Sequence, residues 1–186
     1  MDLLKFPVGN RGVFAVVGEF NDYLMVHVRK YYKEKPTRYG AALSSKEWQQ
    51  LLEKGNQING LVEQMQRDLV EQQKQPKENR QDLKSELLPI GSRGYFVFVS
   101  EFKNTIKIHI VKFEDGTPTE KEVTLNPKEW QSLLAKSDEI DELIKKRKQE
   151  LNREAFKKLY KFLRESAREI KYTPPMKKHC SEQDKM

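Results

Sequence analysis

Two of the three histidines, His27 and His109, and the lone cysteine, Cys180, are the side chains best suited to acid-base, nucleophilic or metal chemistry. Their placement argues against it. A metal site needs several convergent ligands, and Cys180 lies far along the chain from both histidines. No glycine-rich phosphate loop, nucleophile elbow or paired-acid motif occurs. The chain therefore reads as a non-enzyme with neither cofactor nor metal. The remaining chemistry belongs to cations and rings. Lys145-Lys146-Arg147-Lys148 reads as an auxiliary phosphate-binding tract, a nuclear-import signal or a solvated helix face. Beyond it, Phe156, Tyr160 and Phe162 interleave with lysines, a pattern suited to an accessory nucleic-acid or protein contact.

A net charge of +7 over 186 residues points to an acidic partner such as nucleic acid. The excess is local. Residues 145–178 hold thirteen Lys or Arg against four Glu, a net of +9, which leaves −2 for the rest. Net charge alone thus assigns no nucleic-acid site to the folded part. A single cysteine builds no disulfide framework within one chain, which fits a reducing compartment. No window approaches the roughly 18 apolar residues of a membrane span, and Met1-Asp2-Leu3-Leu4-Lys5 lacks a signal-peptide apolar stretch. The expectation is a basic intracellular protein, located in the nucleus.

The elements that must position these groups come from an internal repeat. Pro7-Val8-Gly9-Asn10-Arg11-Gly12-Val13-Phe14 recurs 82 positions later as Pro89-Ile90-Gly91-Ser92-Arg93-Gly94-Tyr95-Phe96. The same shift carries Glu19-Phe20 onto Glu101-Phe102, His27 onto His109, and Lys46-Glu47-Trp48-Gln49 onto Lys128-Glu129-Trp130-Gln131. Each copy opens on a strand-like run, Gly12–Phe20 or Gly94–Phe102. A second strand alternates strictly. Leu24, Val26 and Val28 in copy one match Ile106, Ile108 and Ile110 in copy two, so this strand is buried on one side. Asn21-Asp22 and Lys103-Asn104 supply the turn. A polar loop around Pro36, or Asp115-Gly116 with Pro118, leads to a short strand ending at Leu43 or Leu125.

Ser44-Ser45-Lys46-Glu47 and Asn126-Pro127-Lys128-Glu129 are capping boxes that start one amphipathic helix per copy. Trp48, Leu51, Leu52, Ile58, Leu61 and Val62, and their counterparts from Trp130 to Ile144, form its apolar stripe. Both tryptophans read as packing residues rather than nucleic-acid contacts. The expected organisation is a first repeat over 6–75, a linker over 76–87 that Pro76 opens, and a second repeat over 88–148. A basic amphipathic helix over 149–172 and a disordered tail over 173–186 complete it.

The order Gly-x-Arg-Gly-x-Phe, Glu-Phe, alternating strand, then Leu125-Asn126-Pro127-Lys128-Glu129-Trp130 and Ile140-Asp141-Glu142-Leu143 resembles the C-terminal domain of the transcriptional coactivator positive cofactor 4. The resemblance covers about 6–66 and 88–148, strongest in copy two, and omits that family's serine-rich N-terminal region. It implies an α+β fold: a curved four-stranded antiparallel sheet backed by a helix, pairing through the helices to set two sheets side by side over single-stranded DNA. Two copies in one chain form that pair internally, because the linker spans on the order of 40 Å. The alternative pairs each copy with another chain.

By the same resemblance, Phe20 and Phe102 match the family's base-stacking ridge aromatic. Tyr32 keeps a second ridge position that Glu114 loses. Arg11 and Arg93 match a basic residue near the first strand's start. Arg29 keeps a strand-end arginine that is Val111 in copy two, and Lys103 keeps a turn lysine that is Asn21 in copy one. A further turn lysine is absent from both copies, at Tyr23 and Thr105, and Lys121 matches a basic residue before the last strand. The implied function is a non-enzymatic single-stranded DNA-binding coactivator of RNA polymerase II type transcription, partnered by DNA and transcription-machinery proteins. The alternatives are single-stranded RNA binding, or a protein-interaction scaffold whose sheets no longer bind DNA.

Overall fold

The computed structural model describes residues 2–21 and 23–169. Cys180 and the tail over 173–186, for which the sequence predicts disorder, lie outside the described residues. Copy one runs β1 (Asp2–Val8), β2 (Val13–Phe20), β3 (Tyr23–Tyr32), β4 (Lys35–Ser44), α1 (Ser45–Glu53) and α2 (Gly55–Gln73). Copy two repeats it as β5 (Leu88–Ile90), β6 (Tyr95–Phe102), β7 (Thr105–Glu114), β8 (Thr117–Leu125), α3 (Pro127–Ala135) and α4 (Ser137–Glu169). Each copy is an antiparallel meander of four strands in sequence order followed by helix, as an α+β fold requires.

The strand missing from the periodicity reading is the edge strand. Pro7 sits in β1 opposite Phe14, on the outer strand, where its absent N–H costs no ladder bond. The polar loops of the sequence reading close instead as two-residue turns. Lys33-Glu34 and Asp115-Gly116 all take positive φ, the twist-matched hairpin geometry, so β4 and β8 extend through Pro36 and Pro118. Part of the predicted linker also joins a sheet. The Leu83 carbonyl accepts from the Glu101 amide at 2.9 Å, and Lys84 bridges Ser100, the place Asp2 holds opposite Gly18 in copy one.

Both capping boxes form as expected. Ser44 Oγ accepts from the Glu47 amide at 3.3 Å while the Glu47 carboxylate accepts from the Ser44 amide at 2.8 Å. Asn126 and Glu129 reciprocate at 2.8 Å each way. The single helix expected per copy is broken at equivalent residues, Lys54 and Lys136, whose ψ values of 0° and −1° interrupt the helical backbone. The break lets α2 leave its own sheet and pack on β6 and β7 of the other copy. Trp48, Leu51 and Ile58 and their counterparts Trp130, Leu133 and Ile140 are fully buried in the resulting shared core. Beneath them lie Ala15, Val17, Val26 and Val28 in one sheet, and Val97, Val99, Ile108 and Ile110 in the other. The two copies thus form an intramolecular pseudo-dimer within the compact unit that ends at Lys148.

Beyond Lys148, α4 carries on without interruption to Glu169 as a separate unit. Phe156, Leu159, Tyr160, Phe162 and Leu163 are all exposed on it.

Candidate nucleic-acid interface

The pseudo-twofold relation is written in side-chain bonds. Arg11 donates to Glu129 through Nε at 2.8 Å and Nη2 at 2.6 Å. Its counterpart Arg93 donates to Glu47 through Nε at 2.8 Å, and its Nη2 reaches the second carboxylate oxygen. Trp48 Nε1 donates to Asp141 Oδ1 at 2.7 Å, and Trp130 Nε1 donates to Asn59 Oδ1 at 2.9 Å. Gln49 and Gln131 add a second donor to the same two oxygens. Each bond crosses between copies and each has its image 82 residues away. This is the isologous pattern of a symmetric dimer built within one chain.

Each interface glutamate carries three tasks: a capping box, an inter-copy ion pair and a close backbone contact. A Cβ on Gly9 would stand 2.8 Å from Glu129 Cγ, and one on Gly91 would stand 2.5 Å from Glu47 Cγ. Both glycines also have positive φ, +73° and +66°, so the approach and the backbone each demand the missing side chain. Burial pushes both carboxyls up. The arginine and the cap amide outweigh it, leaving Glu47 and Glu129 below the ordinary carboxylate value. The structure therefore gives Arg11 and Arg93 a partner that the sequence reading did not foresee, and both guanidiniums are committed to the inter-copy seam.

The helix-free side of sheet one carries the alternate strand positions Phe14, Val16, Gly18 and Phe20 beside Arg29, His27, Met25 and Tyr23. Phe20 and Tyr23 face each other across the β2–β3 turn and are 69% and 73% exposed. Tyr32, 68% exposed, stands at the other end of β3, nine residue steps or about 30 Å away. Lys33 Nζ lies 5.5 Å from its ring centroid. Between them Phe14 and Tyr31 meet edge to face at 5.2 Å, with Lys5 Nζ 4.2 Å above Tyr31. Arg29 donates to the Thr37 carbonyl at 3.0 Å. Tyr23, which stands where the resemblance implies a lysine, adds a ring that strand parity places beside Phe20.

Sheet two has the same frame and other chemistry. Phe102 is exposed at its turn, with Lys103 Nζ 5.3 Å from the ring centroid. Where copy one has Tyr32, copy two has Glu114, whose Oε1 takes bonds from Lys112 at 2.6 Å and Lys121 at 3.0 Å. The two lysines draw the Glu114 carboxyl down to about 2. Lys121 is thus placed on the sheet edge but tied to an acid. Mid-sheet, Ser100 Oγ lies 2.9 Å from His109 Nε2, while His109 Nδ1 donates to Glu122 at 2.6 Å. Phe98 stacks on the imidazole at 4.4 Å. In copy one the positions of Ser100 and Glu122 are Gly18 and Gly40.

Of the basic tetrad, Lys145, Lys146 and Lys148 are exposed. Arg147 instead donates to Glu19 at the end of β2, through Nε at 3.1 Å and Nη2 at 3.0 Å. The structure therefore sets Phe20 and Tyr32 at opposite ends of sheet one with Arg29 between them. It places Phe102 and Lys103 at one end of sheet two and Lys121 toward the other, while Arg11, Arg93 and Arg147 hold the assembly. Among the described residues no cluster of three or more His, Cys, Asp or Glu is arranged to hold a metal ion, and no helix is long and apolar enough to cross a membrane. No protein-family model matches the sequence, and comparison with curated proteins gives no match.

Proposed function

We propose that this chain is a non-enzymatic single-stranded DNA-binding protein, serving transcription in the nucleus as a coactivator of RNA polymerase II type transcription. Its partners are melted or single-stranded DNA and proteins of the transcription machinery. One observation carries the reading: Phe20 at the end of β2 and Tyr23 facing it at the start of β3 put two large rings into solvent at one turn, with Tyr32 exposed at the far end of β3, Lys5 and Arg29 between them and Lys33 beside Tyr32. A sequence-tolerant single-strand site needs base-stacking rings and nearby phosphate-binding cations. Copy two adds Phe102 and Lys103 as a smaller contribution.

Fluorescence anisotropy of a labelled 20-nucleotide strand tests it. Phe20→Ala with Phe102→Ala is expected to weaken binding about tenfold or more. Unchanged affinity sinks stacking on the sheets, and loss only on deleting 145–186 assigns binding to the basic tail. Competition by an RNA strand of the same sequence separates DNA from RNA preference. A second reading has its own observation: Glu114 ties up Lys112 and Lys121, which favours copy two as the surface for a protein partner.

A further inference from the structure

A twofold arrangement should produce two matching clefts, each where the first hairpin of one copy meets the last strand of the other. Only one is open. Val13, Lys30 and Tyr39 from copy one face Lys107, Glu122 and Thr124 from copy two across a cavity of about 370 Å³, within the range of small-ligand sites. At the matching place on the other side, Tyr95 replaces Val13 and Gly40 replaces Glu122. Tyr95 is buried there, its hydroxyl accepting from the Ala42 amide at 3.2 Å. Arg29 lies over Gly40, with Cγ 2.8 Å from where a Cβ would stand. Tyr95 and Arg29 fill the second cleft, and Val13 and Val111 leave the first one open.

The open cleft brings together three kinds of group. Tyr39, half-exposed, offers a ring face for stacking. Lys30 and Lys107 bring two ammonium groups. Glu122 supplies an acceptor whose position is fixed, because Oε1 takes bonds from His109 at 2.6 Å and Thr124 Oγ1 at 3.1 Å. The same His109 bond holds the carboxyl below its ordinary value, so it stays ionised at neutral pH. Oε2 makes no hydrogen bond among the described residues. Ring, cations and a single anionic acceptor correspond to base plane, phosphate and a base-edge donor.

The geometry points to this cleft as the seat of one nucleotide of a bound strand, read at Glu122 by a base that carries an exocyclic amine, cytosine in preference to thymine. The inference rests on the single-strand reading above and adds base preference to it. An amine of cytosine donates to the carboxylate, whereas thymine in the same pose turns its O4 toward it, two acceptors with no proton between them, and must shift in the cleft to offer its N3–H instead. Tyr95 and Gly40 stand at the matching place of the other cleft, so the preference belongs to one position of the bound strand rather than to every base.

Anisotropy titrations of the full chain with labelled dC20 and dT20 at one fixed salt concentration test this. Wild type is expected to bind dC20 about fivefold or more tighter than dT20. Glu122→Gln, which can donate to the thymine carbonyl, is expected to bring the ratio to within about twofold of unity. Val13→Tyr places in this cleft the ring that already fills the other one. It is expected to remove the preference, bringing the dC20 to dT20 ratio to within about twofold of unity. Equal wild-type affinities, or a dC20 preference that survives both substitutions, overturn the inference and leave single-strand binding standing. Failure of both oligonucleotides to bind wild type overturns the two readings together.

Discussion

Copy one and copy two repeat the same arginine–glutamate and tryptophan bonds where their helices meet, and differ in the inter-copy clefts and on the faces open to solvent. Arg11–Glu129 and Arg93–Glu47 are images of one bond, as are the tryptophan bonds to Asp141 and Asn59. On the open sheets, by contrast, Tyr32 faces Glu114 as its counterpart, Gly18 faces Ser100 and Gly40 faces Glu122. The interface holds each residue to a partner in the other copy, so a change on one side strands a buried group on the other. A solvent-facing position has no such partner and is at liberty to change. The paired bonds of the seam therefore carry the fold, and the open faces and clefts carry what distinguishes the two halves.

The sharpest way to break this comparison is at the buried tryptophans. Trp48→Ala and Trp130→Ala are each expected to cost about 3–5 kcal/mol in urea unfolding, with the two values alike within about 1 kcal/mol. A silent substitution on one side would show that the seam is not balanced. Next come Glu47→Gln and Glu129→Gln, each expected to cost about 2–3 kcal/mol, since each leaves a half-buried arginine without its anion.

The same pair sets an acid response. Their folded-state pKa values are lowered, so their stabilisation is fully present above the ordinary carboxylate value of 4.5 and is lost as pH falls through the lowered folded values. Thermal scans should show a midpoint that is flat near neutrality, drops below about pH 5, and drops less steeply in the double glutamine variant.

Smaller effects separate the faces. Phe20→Ala is expected to weaken single-strand binding about five- to thirtyfold and Phe102→Ala about two- to fivefold, measured by anisotropy. Equal losses would return the two sheets to equivalence. Smallest is Glu114→Gln, which releases Lys112 and Lys121 and should raise affinity about two- to threefold at low salt, a gain that fades as salt screens it.

Much of this frame was legible in the residues. Strict alternation from Leu24 to Val28 fixed which side of β3 is buried, and Ser44 and Asn126 marked both helix starts. β1 was not legible, because Pro7 interrupts a short run whose only demand is to be an outer strand. Nor were the helix breaks, since Lys54 and Lys136 are ordinary helix formers and only the crossing to the other sheet requires a bend. The inter-copy ion pairs join residues 118 and 46 apart, a separation on which local periodicity is silent. One signal was available for them. Arg11, Glu47 and their images persist in both copies while the other candidate cations do not, which is the mark of a shared structural task rather than of a ligand contact.

The helices that cross between sheets have a consequence for how such a molecule changes over generations. In an assembly of two identical chains, one codon writes both faces, so a substitution that refines one surface alters its twin at the same stroke. Fusion into one chain uncouples them. It also makes the encounter of the halves intramolecular, at an effective concentration on the order of millimolar whatever the amount of protein present. Dilution then no longer opposes pairing, and each face can acquire its own ligand preference while the seam stays as it was.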